Sequence, residues 1–192
     1  MSPILPTAPR LRFSALSLDD ADFIVALLND PDFRRFIGDR GVREARDVAG
    51  YLEAGPLRSY AEHRFGLLKL TERDTGRPIG IAGLIRRPAL DDVDLGYALL
   101  PGFRRQGYAT EACRALVRVA LEAFSLPRLV AIVSVENARS IATLERVGFT
   151  FERHVRMPGE NHDVALYGLA LARAAVAGDG RGRASSNDRI EE

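Results

Sequence analysis

Leu11, Phe13 and Ala15 alternate with polar neighbours, the two-residue period of a strand with one face against a core. The period then changes. Ile24, Leu27 and Leu28 share one face of a helix, which Ser17-Leu18-Asp19-Asp20 opens like a capping box with Asp in place of Glu and Asp30-Pro31 ends. A second helix is expected over Arg43 to Leu52. Phe65 to Leu70 and Ile79 to Ile85 read as the strands of a hairpin turning at Asp74-Thr75-Gly76. Val93 to Leu100 is a further apolar strand, broken by Pro101-Gly102.

The clearest element follows. Ala109, Ala112, Cys113, Leu116, Val117, Ala120, Leu121 and Phe124 keep an i, i+3, i+4, i+7 stripe, so a helix is expected from Ala109 to Phe124. Leu129 to Val135 is continuously apolar, as a strand buried on both faces should be. A short helix from Ala138 stops at Gly148, with Phe149 as the apolar residue after a left-handed turn. Two last strands, near Thr150–Val155 and Val164–Leu171, flank the polar loop Pro158-Gly159-Glu160-Asn161. Residues 93–135 form a strand–helix–strand unit, so the fold class is α/β with a mixed sheet.

Composition sets boundaries around this pattern. Residues 1–9 carry three prolines and no usable period, and are expected to be a flexible lead-in. The globular unit is placed at residues 10–172. The remainder, 173–192, is Gly, Arg, Ser and acids, too poor in apolar area to order itself, and is expected to be disordered. A length of 192 residues suits one domain, and 46% hydrophobic with 28% charged residues describes a soluble globular chain. Lys plus Arg number 27 against 26 acids, a net charge of +1, so no partnership with nucleic acid or membrane through bulk charge is expected.

No apolar run reaches the roughly 18 residues of a membrane span, and MSPILPTAPR lacks a secretory pattern, so a cytoplasmic address is expected. Cys113 stands alone, and His63, His154 and His162 lack metal-ligand spacing, so no metal site is expected. Lys69 is the sole lysine, which reads as GC-rich bacterial genome composition.

Chemistry gathers between the Val93–Leu100 strand and the long helix. In Pro101-Gly102-Phe103-Arg104-Arg105-Gln106-Gly107-Tyr108-Ala109 a glycine lets the backbone curl, and the helix start offers N–H groups and a positive dipole end. Arg104 and Arg105 add charge. This is either an anion cradle or a plain strand-to-helix turn with exposed arginines. Neither GxxxxGK[ST] nor GxGxxG is present, which excludes the P-loop and the dinucleotide fingerprint.

Arg104-x-x-Gly107-x-Ala109 matches the Q/R-x-x-G-x-G/A motif of the GNAT superfamily of acetyl-CoA-dependent N-acetyltransferases. The longer RRQGYATEA resembles the branch that includes the RimJ/RimL-type ribosomal-protein N-terminal acetyltransferases. Asn137-Ala-Arg-Ser140 followed by Leu144-Glu-Arg-Val-Gly148-Phe149 resembles the family's N-x-x-S…GF segment at the expected distance. The resemblance covers residues 10–171. It implies the GNAT fold, a central mostly antiparallel sheet with one splayed parallel strand pair flanked by helices, and acetyl-CoA as cosubstrate.

Site residues follow by the same resemblance. Backbone N–H groups of Gln106, Gly107, Tyr108, Ala109 and Thr110 would hold the pyrophosphate, which Arg104 and Arg105 would neutralise. The strand end at Leu99 and Leu100 would border the pantetheine arm, and Asn137 would hydrogen-bond it; Asn137 also suits a plain helix N-cap. Many members carry a Tyr seven residues after the Asn, where this chain has Leu144. Ser140 is therefore the candidate proton donor, or only a residue of a helix cap. Asp94, where the family often has a Glu, is the candidate base, or a solvated strand residue. Tyr97 would line the acyl channel or pack.

Phe33, Arg34 and Phe36, in an expected loop after the first helix, would shape the acceptor pocket with the loop at 156–163. Arg34 and Arg35 there would suit an acceptor with acidic groups. The acceptor is a primary amine, a protein N-terminus first, with a polyamine, amino sugar, drug or amino acid as the alternative. A non-catalytic CoA-binding module is the other rival, and a homodimer is left open.

Overall fold

The computed structural model describes residues 1–171. The tail expected to be disordered at 173–192 lies outside these residues. Seven strands form one sheet in the order β1-β2-β3-β4-β5-β7-β6. They are β1 (Leu11–Ser14), β2 (Leu67–Glu72), β3 (Pro78–Ile85), β4 (Val93–Leu99), β5 (Arg128–Ser134), β6 (Thr150–Arg156) and β7 (Asp163–Ala170). Every neighbouring pair is antiparallel except β4 and β5, which run parallel because a helix crosses between them.

That crossover is α5 (Tyr108–Glu122), whose apolar stripe buries Ala112, Cys113, Leu116 and Ala120 against the sheet. With α6 (Ala138–Val147) it closes the larger core, where Phe13, Leu70, Leu84, Leu95, Leu129, Leu144 and Phe149 meet. α6 ends as expected: Gly148 is left-handed (φ 110°), and the amide of Phe149 returns to the carbonyl of Leu144 at 3.0 Å. A smaller core lies on the opposite side of β3. Ile81 turns that way, towards Leu27, Leu28, Phe33, Val48 and Leu52.

The first hundred residues depart from expectation in two places. Asp30-Pro31 ends α1 (Ala21–Leu28) but also begins α2 (Pro31–Phe36), so the segment read as a loop is helical. Asp30 accepts from the amide of Phe33 at 3.1 Å and Pro31 takes the first helical position, where its missing N–H is no loss. The second helix does not stop at Leu52. α3 (Val48–Leu52) passes through a π-turn (Glu53–Leu57) into α4 (Arg58–His63), and the π-turn absorbs Pro56, which looks like a breaker in the sequence. The lead-in lies against the domain: Ile4 donates to the carbonyl of Arg64 at 2.9 Å, and Arg118 donates to that of Thr7 at 2.9 Å. No helix among the described residues is long and apolar enough to cross a membrane.

Candidate active site

β4 and β5 are joined only at Val93–Leu129 and Asp94–Val130. Past that point β4 stays with β3 and β5 stays with β7, so the sheet opens into a fork with its apex at Asp94. Backbone groups facing into the fork have no strand partner, and such groups require one. A cleft of about 1710 Å³ occupies the fork and extends along α2, the 48–63 helix, the start of α6 and residues 157–162. Single-ligand pockets span roughly 300–1,000 Å³, so this one has room for two substrates.

At the open end of the fork the chain after β4 curls through two left-handed residues, Arg105 (φ 62°) and Gly107 (φ 82°), into the N-terminus of α5. The unsatisfied first-turn N–H groups and the helix dipole converge there. A clamp that the sequence did not reveal holds the curl from behind. Arg10 donates to Glu111 at 2.7 Å and to the carbonyl of Gln106 at 3.0 Å, and its guanidinium lies 4.4 Å from the centre of the Tyr108 ring. A Cβ at Gly107 would come within 3.3 Å of Arg10, so space and φ both call for glycine. Ala109 and Arg105 line the cleft; Gln106, Gly107, Tyr108, Thr110 and Leu100 do not. The Tyr108 side chain instead enters the core and donates to Glu72.

The first turn of α6 supplies the other wall. Asn137 Oδ1 accepts from the amide of Ser140 at 3.1 Å, which makes Asn137 the cap and leaves the Ser140 hydroxyl for other work. That hydroxyl lies 2.9 Å from the Tyr97 hydroxyl, which crosses from β4 to meet it. Tyr97 therefore does more than line the channel. Burial pushes its phenol up to about 12, with the Ser140 and Thr143 hydrogen bonds pulling the other way. Leu144, one turn on, is buried.

Two expected roles are not supported by the geometry. Asp94 is 1% exposed; Oδ2 takes Arg87 Nε at 2.6 Å, and Oδ1 accepts from the amide of Ile132 at 3.3 Å, just past the last paired residue of β5. It is therefore not a solvated strand residue: it lines the cleft at the apex with both carboxylate oxygens engaged. Burial raises its pKa, opposed by Arg87. Arg104 is committed elsewhere too. Its guanidinium pairs with Asp30 and with Asp32 (2.8 Å), and its Nε donates to the carbonyl of Leu99 at 3.0 Å. Asp32 also takes Arg139 at 3.2 Å, so the network ties α2 to both cleft walls. Both arginines line the cleft, but of the two Arg105 has no ion-pair partner among the described residues.

On the acceptor side Phe33 and Phe36 line the cleft from α2. Arg34 pairs with Asp39 at 3.0 Å and Arg35 with Glu136 at 3.0 Å, so their charge is compensated.

Residues 10–150 match the family described as Acetyltransferase (GNAT) domain. YdaF of Bacillus subtilis, provisionally named a ribosomal N-acetyltransferase, is 34% identical over 97 residues, which are 46% of this chain and 53% of YdaF. The match thus spans about half the length of that relative. An acetyltransferase structure from Agrobacterium tumefaciens superposes with a TM-score of 0.73 at 27% identity, over 88% of this chain and 95% of that one. The microcin C7 self-immunity acetyltransferase MccE, solved with acetyl-CoA and AMP, shares the fold at a TM-score of 0.71 and 21% identity, over 84% of this chain and 92% of MccE. The fork, the cradle and the 141-residue match together place this chain in the GNAT family of acetyl-CoA-dependent N-acetyltransferases.

Proposed function

We propose that the chain acetylates a primary amine presented at the acceptor end of the cleft, with a protein N-terminal amine as the first choice and a cytoplasmic site of action. The single observation that carries the reading is the fork at Asp94, continuous with an N–H cradle at one end and a hydroxyl pair on its wall. Likeness to YdaF, whose provisional name is that of a ribosomal N-acetyltransferase, supports a protein acceptor. A small amine is the second reading, favoured by the arginine-rich wall described below and by MccE, which was solved with a nucleotide beside acetyl-CoA.

Acetyl-CoA would lie along the fork, its pyrophosphate at the start of α5 beside Arg105, and supply the acetyl group. The chain then has two tasks, both concerning protons. The acceptor must lose a proton before it can attack, and with Asp94 committed to the apex that proton passes to water in the cleft. The leaving thiolate must gain one. Ser140 supplies it and regains a proton from water in the cleft; its Oγ lies 2.9 Å from the Tyr97 hydroxyl, and with the phenol as donor the Ser140 hydroxyl is free to turn outward. A phenol near 12 keeps its proton at neutral pH, as this role needs.

Thiol release from acetyl-CoA, measured against short peptides with free N-termini and against small amines, tests the reading. Release that depends on a peptide amine supports the first choice, and release with small amines alone moves the acceptor to the second. Acetyl-CoA binding with no amine-dependent release would leave a binding module.

A further inference from the structure

The cleft is lined by ten arginines and five carboxylates. Each carboxylate already has a partner, Asp47 through the amides of Arg43 and Glu44 and the other four through a neighbouring Arg or His. Among the described residues, several arginines, in contrast, have only neutral ones. On the acceptor side Arg58 donates to the carbonyl of Ala54 at 2.7 Å and Arg40 to that of Ile37 at 3.3 Å. A carbonyl orients a guanidinium without neutralising it.

These two arginines belong to one wall. Gly50, Tyr51, Ala54, Gly55, Arg58 and Ser59 line the cleft as pairs spaced four residues apart along the 48–63 helix. An α-helix turns in 3.6 residues, so such a stripe would rotate away from the cleft; the wider π-turn at Glu53–Leu57 keeps it facing in. Cβ atoms built at Gly50 and Gly55 meet nothing within 4 Å, which leaves open volume beside the two cations. Arg40 lies near enough to Tyr51 to counter part of the upward shift that burial gives the phenol. Two guanidiniums with no carboxylate partner among the described residues, Arg40 near the Tyr51 phenol and Arg58 one stretch along the same helix wall, with an open floor, make a donor set for a planar or tetrahedral oxyanion.

We propose that Arg40, Arg58 and Tyr51 bind an anionic group, carboxylate or phosphate, carried by the acceptor amine itself. This rests on the acetyltransferase reading above and deepens it: the preferred acceptor is an anion-bearing amine, and a polyamine is disfavoured. The same three residues fix where the amine points, because the anion anchors the far end of the acceptor.

Matched acceptor pairs test this. Ala-Asp against Ala-Asn reads a carboxylate, and 2-aminoethyl phosphate against ethanolamine reads a phosphate. The expected result is at least a tenfold higher kcat/KM for an anionic member of one pair. Arg40→Gln with Arg58→Gln should cut that preference below threefold by raising the acceptor KM, while the KM for acetyl-CoA stays within twofold. In the unaltered protein, raising NaCl from about 50 to about 500 mM should weaken the anionic acceptor and spare the neutral one. Equal use of both members, or a preference that survives the double substitution, overturns the proposal. Calorimetric titration of the same four compounds into CoA-saturated protein reads the subsite without turnover. Silence in thiol release with selective binding of the anionic member would therefore count against the acetyltransferase reading alone.

Discussion

A hydroxyl that serves a departing thiolate should show itself in kcat more than in affinity. Asn137, rather than Ser140, caps α6, so Ser140→Ala removes the hydroxyl and leaves the cap in place. We expect kcat to fall at least tenfold, the lower edge for lost general-acid help, with the CoA dissociation constant within threefold and an unchanged melting temperature. Near-normal turnover would remove Ser140 from the chemistry. Asp94 gives the complementary test. Asp94→Asn with Arg87→Gln rebuilds the apex as neutral groups: the Asn carbonyl can accept from Ile132 and its amide can donate to the new glutamine. A strut predicts turnover within a few-fold of the parent and an unmoved acid limb of the pH profile, whereas a base predicts a loss of 10²-fold or more. Asn137 and Ser140 were legible in the sequence because their spacing is local to one helix turn. The partners of Asp94 and Tyr97 were not, since Ile132 and Ser140 come from elements dozens of residues away.

At the scale of elements, every strand among the described residues and the long helix were expected from the sequence, α5 because it buries one regular face, β3 and β7 because they are apolar and buried nearly throughout. Periodicity failed where one residue did two jobs. Asp30-Pro31 reads as a stop but is also a start, and the helix expected to end at Leu52 continues through a π-turn that holds Pro56. The first misreading hid the partners of Arg104, because Asp30 caps α2 and Asp32 lies in its first turn. Arg104 and Arg105, adjacent in sequence, should therefore fail differently. Arg104→Ala strands Asp30, whose side chain is 6% exposed, and breaking such a pair costs about 3 kcal/mol. For a domain of this size that is roughly 6–12 °C of melting temperature. Arg105→Ala should leave the melting temperature within about 1 °C and weaken CoA binding several-fold. Calorimetry and thermal melts on the two variants check the crossing pattern, and a reversed pattern would return Arg104 to the cradle.

The molecule as a whole is organised by one interrupted strand pair. β4 and β5 each keep an outer neighbour, so the sheet can part between them without losing either arm. The buried Asp94–Arg87 pair closes the apex, and the Arg10–Glu111 clamp braces the far end. The account requires that acetyl-CoA bind in that fork with its phosphates at the start of α5. Gly107 is the position to test, because its φ of 82° favours glycine and a Cβ there would press to 3.3 Å on Arg10, so a glutamate would disturb the curl whose N–H groups would hold the phosphates. A ligand at a hundred times its dissociation constant adds about 2.7 kcal/mol of stability, or roughly 5–11 °C here. The measurement is the melting temperature of the parent and of Gly107→Glu with and without saturating acetyl-CoA, each compared with its own ligand-free value. The account predicts a rise of that size in the parent and almost none in the variant; an equal rise in both would place acetyl-CoA somewhere other than the fork.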